Sequence, residues 1–255
     1  MSVFRLFKTH YSLGKSILTC DKAKDSIEEY PLSVFTIAKH HKLDSITVVD
    51  DSISGLLELS QNAAKEKIKL IFGLRLTVTD DVTIKNDDSN MKHSKCVIFC
   101  KNSEGYKDLI KISSFASTDG FYYESRIDWP NLKRLWSANL ILSVPFYDSF
   151  LHLNTLEGKS HVPDFSFTKP VFMIEDNEIP FDYLIKNKVL NFCEKNGFEA
   201  LNAQSIYYYK YEDFKAFCSF KCITSRGFSK KSTCESPNLS HFCSDTFCFE
   251  NTLEK

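Results

Sequence analysis

The 255-residue sequence predicts an α/β fold in which about seven β–α units close into a distorted (β/α)7-type barrel. Short runs rich in β-branched and aromatic residues alternate with longer amphipathic segments, which is typical of α/β proteins. No internal repeat, coiled coil or low-complexity linker divides the sequence. We therefore interpret residues 1–255 as one domain, with 225–255 as its irregular C-terminal tail.

The predicted elements alternate in type along the sequence. Pro31 begins a helix, because proline is favoured at the first helical position and Val34, Ile37 and Ala38 share one face. Gly73 is expected to interrupt the third strand, and the polar run 80–95 to form a loop with a short hairpin. Strands are predicted at 3–7, 45–49, 68–78, 96–100, 139–143, 170–174 and 199–202, and further helices at 55–66, 103–117, 129–136, 180–196 and 211–224.

Composition excludes several classes of protein. The net charge of −1 gives no overall basic surface for nucleic acid, although direct nucleic-acid binding stays open. No apolar run is long enough to cross a bilayer, and the N-terminus has no signal-peptide core. We therefore expect a cytoplasmic protein without membrane contact, in which the nine cysteines are reduced thiols; their odd count also fits a secreted disulfide framework poorly. Abundant Phe, Tyr, Lys, Asn and Ser are typical of an AT-rich coding sequence, a viral one among the candidates.

Two sequence strings carry a family resemblance. The first, Asn-x-Glu-Gly-Tyr-x-Asp-Leu, spans Asn102–Leu109, and the second, Gly-Phe-Tyr-Tyr-x-x-Arg-Ile-Asp, spans Gly120–Asp128. Both resemble the PHP (polymerase and histidinol phosphatase) domain of the bacterial DNA polymerase III α subunit. The resemblance extends over essentially the whole sequence and implies a PHP domain that stands alone.

The resemblance also implies where metal ligands belong, since PHP phosphoesterases bind two or three divalent metals with His, Asp, Glu and sometimes Cys. Such metals clamp the attacking and leaving oxygens of a phosphodiester and activate a water. In this sequence most ligand positions hold other residues, so we expect a degenerate metal pocket with no metal and no catalytic residue. Its positions are Leu6, Lys8, His10, Asp50, Asp51, Arg75, Lys95, Ser205 and Tyr207.

Three of these replacements are cations, namely Lys8, Arg75 and Lys95. Asp50 and Asp51 would otherwise lie together as like charges, each disfavouring ionisation of the other. We therefore expect the cations to take the place of the lost metals and to hold the pocket together by ion pairs.

Two further clusters have competing interpretations. Cys218, Cys222, Cys234, His241, Cys243 and Cys248 could hold a structural zinc, but their spacing matches no common zinc pattern, which favours ordinary reduced cysteines. The aromatic run 207–211 could stack single-stranded nucleic acid, but rings shared between core and rim are the favoured interpretation.

Two functions follow as expectations. The resemblance implies a catalytically inactive module in DNA replication, with the polymerase body or a proofreading exonuclease as its partner. The alternative is a residual metal-dependent phosphoesterase or 3′–5′ exonuclease acting on DNA with Zn, Mn or Fe. That alternative would use His10, Asp50, Asp51, His93 and Glu175.

Overall fold

A computed structural model describes residues 3–13, 15–86, 93–158, 162–224 and 244–253. The strands are β1 (Phe4–Phe7), β2 (Ser45–Asp50), β3 (Lys69–Thr79), β4 (Ser94–Cys100), β5 (Arg126–Asp128), β6 (Leu140–Val144), β7 (Val171–Ile174) and β8 (Glu199–Ile206). The helices are α1 (Val34–His40), α2 (Leu56–Glu66), α3 (Ser103–Ser117), α4 (Trp129–Leu135), α5 (Phe150–Leu156), α6 (Asp182–Asn196) and α7 (Phe214–Thr224).

Hydrogen bonds link the strands in the order β2-β1-β8-β7-β6-β4-β3-β5, and β3 also pairs with β2. The predicted α/β class and its distorted (β/α)7-type barrel are therefore confirmed. The protein divides into two compact units, the first from described residues of 1–72, 175–182 and 202–255, the second from 73–174 and 183–201. The assignment of 1–255 as one domain with a tail at 225–255 stays a prediction.

The first unit is built on parallel pairing of β1 with both β2 and β8. Leu6 lies opposite Thr47 on one side and Ser205 on the other. Parallel strands end at the same edge of a sheet, so the residues that follow β1, β2 and β8 come together. Helix α1 begins later than expected, because the side chain of Ser33, and not Pro31, caps it by accepting from the backbone N–H of Phe35.

The second unit combines antiparallel β3–β4 and β4–β6 pairs with parallel β6–β7 and β3–β5 pairs. The expected interruption at Gly73 was wrong, because β3 runs through it and pairs Gly73 with Phe99. A Cβ at this position would lie 2.5 Å from the Phe99 ring, so glycine is needed for side-chain packing. Helix α5, missed in the sequence, begins at Phe150 after the N-cap Ser149, and Phe150 joins an aromatic core with Phe146 and Phe172.

The first string of the resemblance encodes a helix start. Asn102 caps α3 by accepting from the backbone N–H of Gly105 at 2.9 Å, and its amide donates to Asn139 at 3.0 Å. A Cβ at Gly105 would clash with the Asn139 carbonyl oxygen. These contacts of Asn102 and Gly105 with Asn139 therefore fix the start of α3 against the turn before β6.

The second string places a fully buried arginine. Arg126 is 0% exposed, and its guanidinium donates to the carbonyl oxygens of Gly120 at 3.1 Å and of Val82 and Ile84 at 3.4 Å. Asp128 caps α4 by accepting from the backbone N–H of Asn131 at 2.9 Å. Asn102 and Gly105 of the first string and Arg126 and Asp128 of the second thus fix the backbone.

The aromatic run is part of the core. Tyr207, Tyr208 and Tyr209 are 7%, 0% and 7% exposed, and Tyr207 stacks on Phe247 with ring centroids 5.2 Å apart. The nucleic-acid platform was therefore a wrong interpretation, because buried rings cannot stack on bases. Tyr211, the last ring of the run, is only partly buried, which agrees with the expectation that the rings are divided between core and rim.

The C-terminal cysteine cluster is described in part. Cys218, Cys222 and Cys248 form no disulfide, and burial raises the pKa of the Cys248 thiol to about 11. Cys234, His241 and Cys243 lie outside the described residues. The interpretation of the C-terminal cysteines as ordinary reduced thiols therefore stays a prediction. Within the described ranges, none of the helices combines the length and apolarity needed to span a bilayer.

Replacing Arg126 by Leu is expected to lower the free energy of unfolding by about 2–4 kcal/mol, because it leaves buried carbonyl groups without donors. Urea denaturation measures this loss. The matched control is Arg134→Leu, since Arg134 is exposed and donates to Asn131 of its own helix. Equal losses in the two variants would contradict the structural role of Arg126.

Candidate functional site

The carboxylate of Asp50 ends β2 and is saturated with hydrogen bonds. Asp50 is 0% exposed. One oxygen accepts from the Thr9 backbone N–H at 2.9 Å and from Ser12 Oγ at 2.8 Å, and the other from Thr9 Oγ1 at 2.6 Å. These donors satisfy the negative charge from within the protein.

The carboxylate of Asp51 is paired with two lysines. Lys8 Nζ lies 3.0 Å from one carboxylate oxygen, and Lys15 Nζ lies 2.6 Å from the other. Lys8 is 5% exposed, and its backbone N–H donates to the Ile206 carbonyl at 3.0 Å, which ties the end of β1 to the end of β8. The aliphatic part of the Lys8 side chain is therefore held in place, and its ammonium group faces Asp51.

Glu175 follows β7 and is buried in a polar network. Its carboxylate accepts from Ser205 N–H at 2.8 Å, from Ser205 Oγ at 2.8 Å and from the Asn177 amide at 3.0 Å. Burial raises the pKa of Glu175, although these hydrogen bonds act in the opposite direction. Gln204 and Thr246 extend the network through bonds to Asn177 at 2.5 and 3.1 Å.

The remaining predicted positions of the first unit have different environments. Leu6 is buried at 6% exposure, and Tyr207 belongs to the aromatic core described above. His10 packs against the Tyr11 ring at 4.5 Å, and its Nδ1 is buried with no hydrogen-bond partner among the described residues. These side chains add no carboxylate to the Asp50 and Asp51 pair.

Arg75 and Lys95 belong to the second unit and pair with carboxylates that the sequence did not suggest. Arg75 donates to Asp148 at 2.6 Å, and Lys95 donates to Glu124 at 3.0 Å and to Thr77. His93 also contacts Glu124, with 3.1 Å between Nδ1 and Oε1.

These contacts shift the pKa of Glu124. Burial alone would raise its pKa, but the hydrogen bonds from His93 and Lys95 and the charge of Lys95 outweigh that effect. The net result is a pKa of about 2. Glu124 is therefore expected to keep its charge as the counter-charge of Lys95 in mildly acidic solution, where an ordinary glutamate takes up a proton.

The donors present fit a divalent metal cluster poorly. A bound divalent ion needs several anionic or neutral donors with available lone pairs. Asp50 already accepts three hydrogen bonds, and Asp51 lies against a buried ammonium. Of the residues with described positions, no three His, Cys, Asp or Glu side chains are grouped to hold a metal ion. The assignment of the nine positions as a degenerate pocket stays a prediction.

Several residues of these clusters were missed in the sequence. Thr9 and Ser12 supply the hydroxyl donors to Asp50, and Lys15 shares Asp51. Asp148 and Glu124 lie far from their cations in sequence, so no local pattern could have identified them. Thr9 and Ser12, two small hydroxyl residues in the segment that follows β1, were the signal available in the sequence.

Replacing Lys8 by Met is expected to lower the free energy of unfolding by about 2–3 kcal/mol, because it breaks a largely buried pair while keeping the apolar stem. Lys15→Met is the matched control, since Lys15 is more exposed and pairs with the same carboxylate. The free energy of unfolding of Lys15→Met should fall by less than about 1 kcal/mol. In a double-mutant cycle, the variant Lys8→Met/Asp51→Asn should recover part of the free energy of unfolding that Lys8→Met loses. If the losses of the two single variants simply add in the double variant, the pairing of Lys8 with Asp51 is contradicted.

Replacing Glu175 by Gln is expected to flatten the pH dependence of stability. A carboxyl group with a raised pKa binds its proton more tightly in the folded state, so stability falls as pH rises above the ordinary value of 4.5. The free energy of unfolding of the unmodified protein should therefore decrease between pH 5 and pH 7 more than that of the variant, by urea denaturation at each pH. Equal decreases would show that Glu175 is not the group responsible.

Known proteins with similar sequences point to one family. The PHP domain family matches residues 7–166. The protein is 32% identical over 116 residues to the DNA polymerase III subunit alpha of Helicobacter pylori (strain J99), a match that includes 44% of this sequence and 9% of that protein. It is 31% identical over 111 residues to the Borreliella burgdorferi subunit, with shares of 42% and 10%.

A longer match is 22% identical over 220 residues to the Aquifex aeolicus DNA polymerase III subunit alpha, and it includes 80% of this sequence and 18% of that protein. The protein thus spans a fifth or less of the length of these relatives. It belongs to the PHP domain family and is homologous to the PHP region of DNA polymerase III subunit alpha.

Proposed function

We propose that this protein is a catalytically inactive PHP module that acts by binding a protein of the DNA replication machinery. The observation that carries the proposal is the ammonium group of Lys8. The resemblance puts a metal-ligating imidazole at this position, yet the lysine is 5% exposed and lies 3.0 Å from Asp51.

Electrostatics supports inactivity at this end of the strands. A divalent cation beside Asp51 would lie next to a fixed positive charge, and repulsion between charges is strong where water is excluded. Binding would therefore require the Lys8–Asp51 pair to break, which leaves a buried ammonium without its partner. Asp50 would in addition have to exchange its hydrogen bonds from Thr9 and Ser12 for metal coordination.

Homology supports a replication context. The relatives are DNA polymerase III alpha subunits, and the matched part of each is a small fraction of the whole protein. A module that has lost its metal chemistry retains a folded surface, so protein binding is the function it can still perform. The polymerase body and a proofreading exonuclease are the partners we propose, in the cytoplasm and without contact with a membrane.

A residual phosphoesterase or 3′–5′ exonuclease is the second candidate. It is favoured by one observation, the buried Nδ1 of His10, which has no hydrogen-bond partner in the described part of the protein. An imidazole nitrogen with no partner is a suitable ligand for zinc, manganese or iron. Asp50 and Asp51 would have to supply the oxygen ligands.

Metal content and hydrolysis of a phosphodiester on the same samples separate the two candidates. After exposure to zinc, manganese and iron, the purified protein should retain no stoichiometric metal and should hydrolyse neither bis-p-nitrophenyl phosphate nor single-stranded DNA. About two or three metals per molecule, with activity abolished by Asp50→Ala, would establish the enzyme instead.

Partner binding is tested with the replicative polymerase α subunit and the proofreading exonuclease from the same cell. We expect a complex with one of them by size-exclusion chromatography, and the proposal of a module without metal predicts that chelators leave the complex unchanged. Binding to neither purified protein would contradict the partner proposal, whatever the metal assay shows.

A further inference from the structure

The loops that follow α1 and α2 lie together in the first unit. Helix α1 ends at His40 and leads into β2, and α2 ends at Glu66 and leads into β3. The backbone N–H of Lys69 donates to the carbonyl oxygen of Asp44 at 2.9 Å, so the two loops are in direct contact. Both loops precede their strands, whereas the aspartates of the candidate site lie at the end of β2 and directly after it.

Lysines are concentrated on these two loops. Residues 39–44 have the sequence Lys-His-His-Lys-Leu-Asp and residues 65–69 have Lys-Glu-Lys-Ile-Lys, so five lysines lie among eleven residues with two carboxylates. All five lysines are exposed, whereas the two apolar residues, Leu43 and Ile68, are partly buried. The net charge of the protein is −1, so this lysine surface differs locally from the overall balance of charge.

The protein supplies little counter-charge to this surface. Lys39 lies 3.6 Å from Asp25, whose carboxylate is fully exposed, so solvent screens this pair. In the ranges that the structure describes, no ion pair is formed by the other four lysines, which are Lys42, Lys65, Lys67 and Lys69. A surface of like charges without partners attracts anions from solution.

Two of the lysines occupy backbone positions that favour glycine. Lys67 is the C-cap residue of α2 with a φ of 57°, and Lys42 lies just beyond α1 with a φ of 52°. The left-handed conformation is costly for a residue with a side chain, and glycine is its usual occupant at a helix end. The helix dipole favours cations only in the last turn, so it does not account for Lys69 of β3. The sequence therefore places positive charge here at a cost to the fold.

We infer that the lysine surface binds the phosphate backbone of nucleic acid. Lysine binds phosphate as a point charge, and each such contact releases counterions from the polymer. A protein partner fits this surface less well, because protein interfaces are depleted of lysine and enriched in aromatic residues, and neither loop contains Phe, Tyr or Trp. Contacts to phosphate carry no sequence information, so binding is expected without sequence preference.

The inference does not rest on the proposed function. The lysine surface is formed by the loops before β2 and β3, and the metal and activity assays report on the candidate site. Loss of nucleic-acid binding would leave the inactive module and its protein partner unaffected, and detection of a phosphoesterase would leave the lysine surface unaffected.

The test is fluorescence anisotropy of a labelled oligothymidylate of about 20 nucleotides, titrated with the 255-residue protein at several concentrations of NaCl. We expect the logarithm of the association constant to fall against the logarithm of the salt concentration with a slope of about −3, as for about four phosphate contacts to a single strand. In Lys42→Gly/Lys67→Gly, this slope should be smaller by about 1.4, and affinity at about 50 mM NaCl should fall about tenfold. Because glycine suits both backbone positions, the thermal midpoint of unfolding of this variant should not decrease.

The matched control is Lys186→Gln/Lys188→Gln, which removes two exposed charges from α6 in the second unit. This control should bind the oligonucleotide like the unmodified protein. Poly-L-glutamate represents an acidic protein segment, and at equal charge concentration it should displace the oligonucleotide about tenfold less effectively than unlabelled oligothymidylate does. Absence of binding at low salt, equal losses of affinity in the two double variants, or equal displacement by poly-L-glutamate would overturn the inference.

Discussion

The contact between the Lys8 ammonium and the Asp51 carboxylate is the constraint around which the first unit is arranged. Lys8 extends β1 while its backbone bonds to Ile206 of β8, and Asp51 directly follows β2. The ion pair therefore connects the ends of β1 and β2, and the backbone hydrogen bond of Lys8 adds the end of β8, at the edge where the family resemblance implies metal ligands. Buried pairs add little net stability but are costly to break, so such a pair fixes one arrangement of the strands.

The second unit also contains ion pairs at positions of the predicted pocket. Arg75 pairs with Asp148, and Lys95 pairs with Glu124. Asp148 itself has a positive φ of 59°, and Glu124 follows Tyr123, whose φ is 60°. Both carboxylates are thus presented by unusual backbone turns, which non-glycine residues rarely adopt without compensation. In each unit, a cation at a position where the family resemblance implies a metal ligand forms an ion pair with a carboxylate.

The sequence predicts the elements of this fold well where local rules decide them. Asn102 and the glycine at 105 indicate a capped helix, and the β-branched run before Asp50 indicates a strand. The family resemblance lies in these structural strings, so it identified the fold without identifying an activity.

The sequence did not predict which residues of the site form ion pairs with one another. Lys8 pairs with a residue 43 positions away and Arg75 with one 73 positions away, and no periodicity encodes such contacts. Pro31 and Gly73 misled for a related reason, because helix capping by Ser33 and packing against Phe99 override local propensity. The three buried tyrosines show the same effect, since only tertiary packing distinguishes a core ring from an exposed platform.

The most direct test of the central claim is anomalous X-ray scattering from crystals of the protein grown with manganese. The account predicts no anomalous peak within coordination distance of Asp50 or Asp51, with the Lys8 ammonium still in contact with Asp51. A manganese peak bound by these aspartates, with the Lys8 side chain turned away, would contradict it.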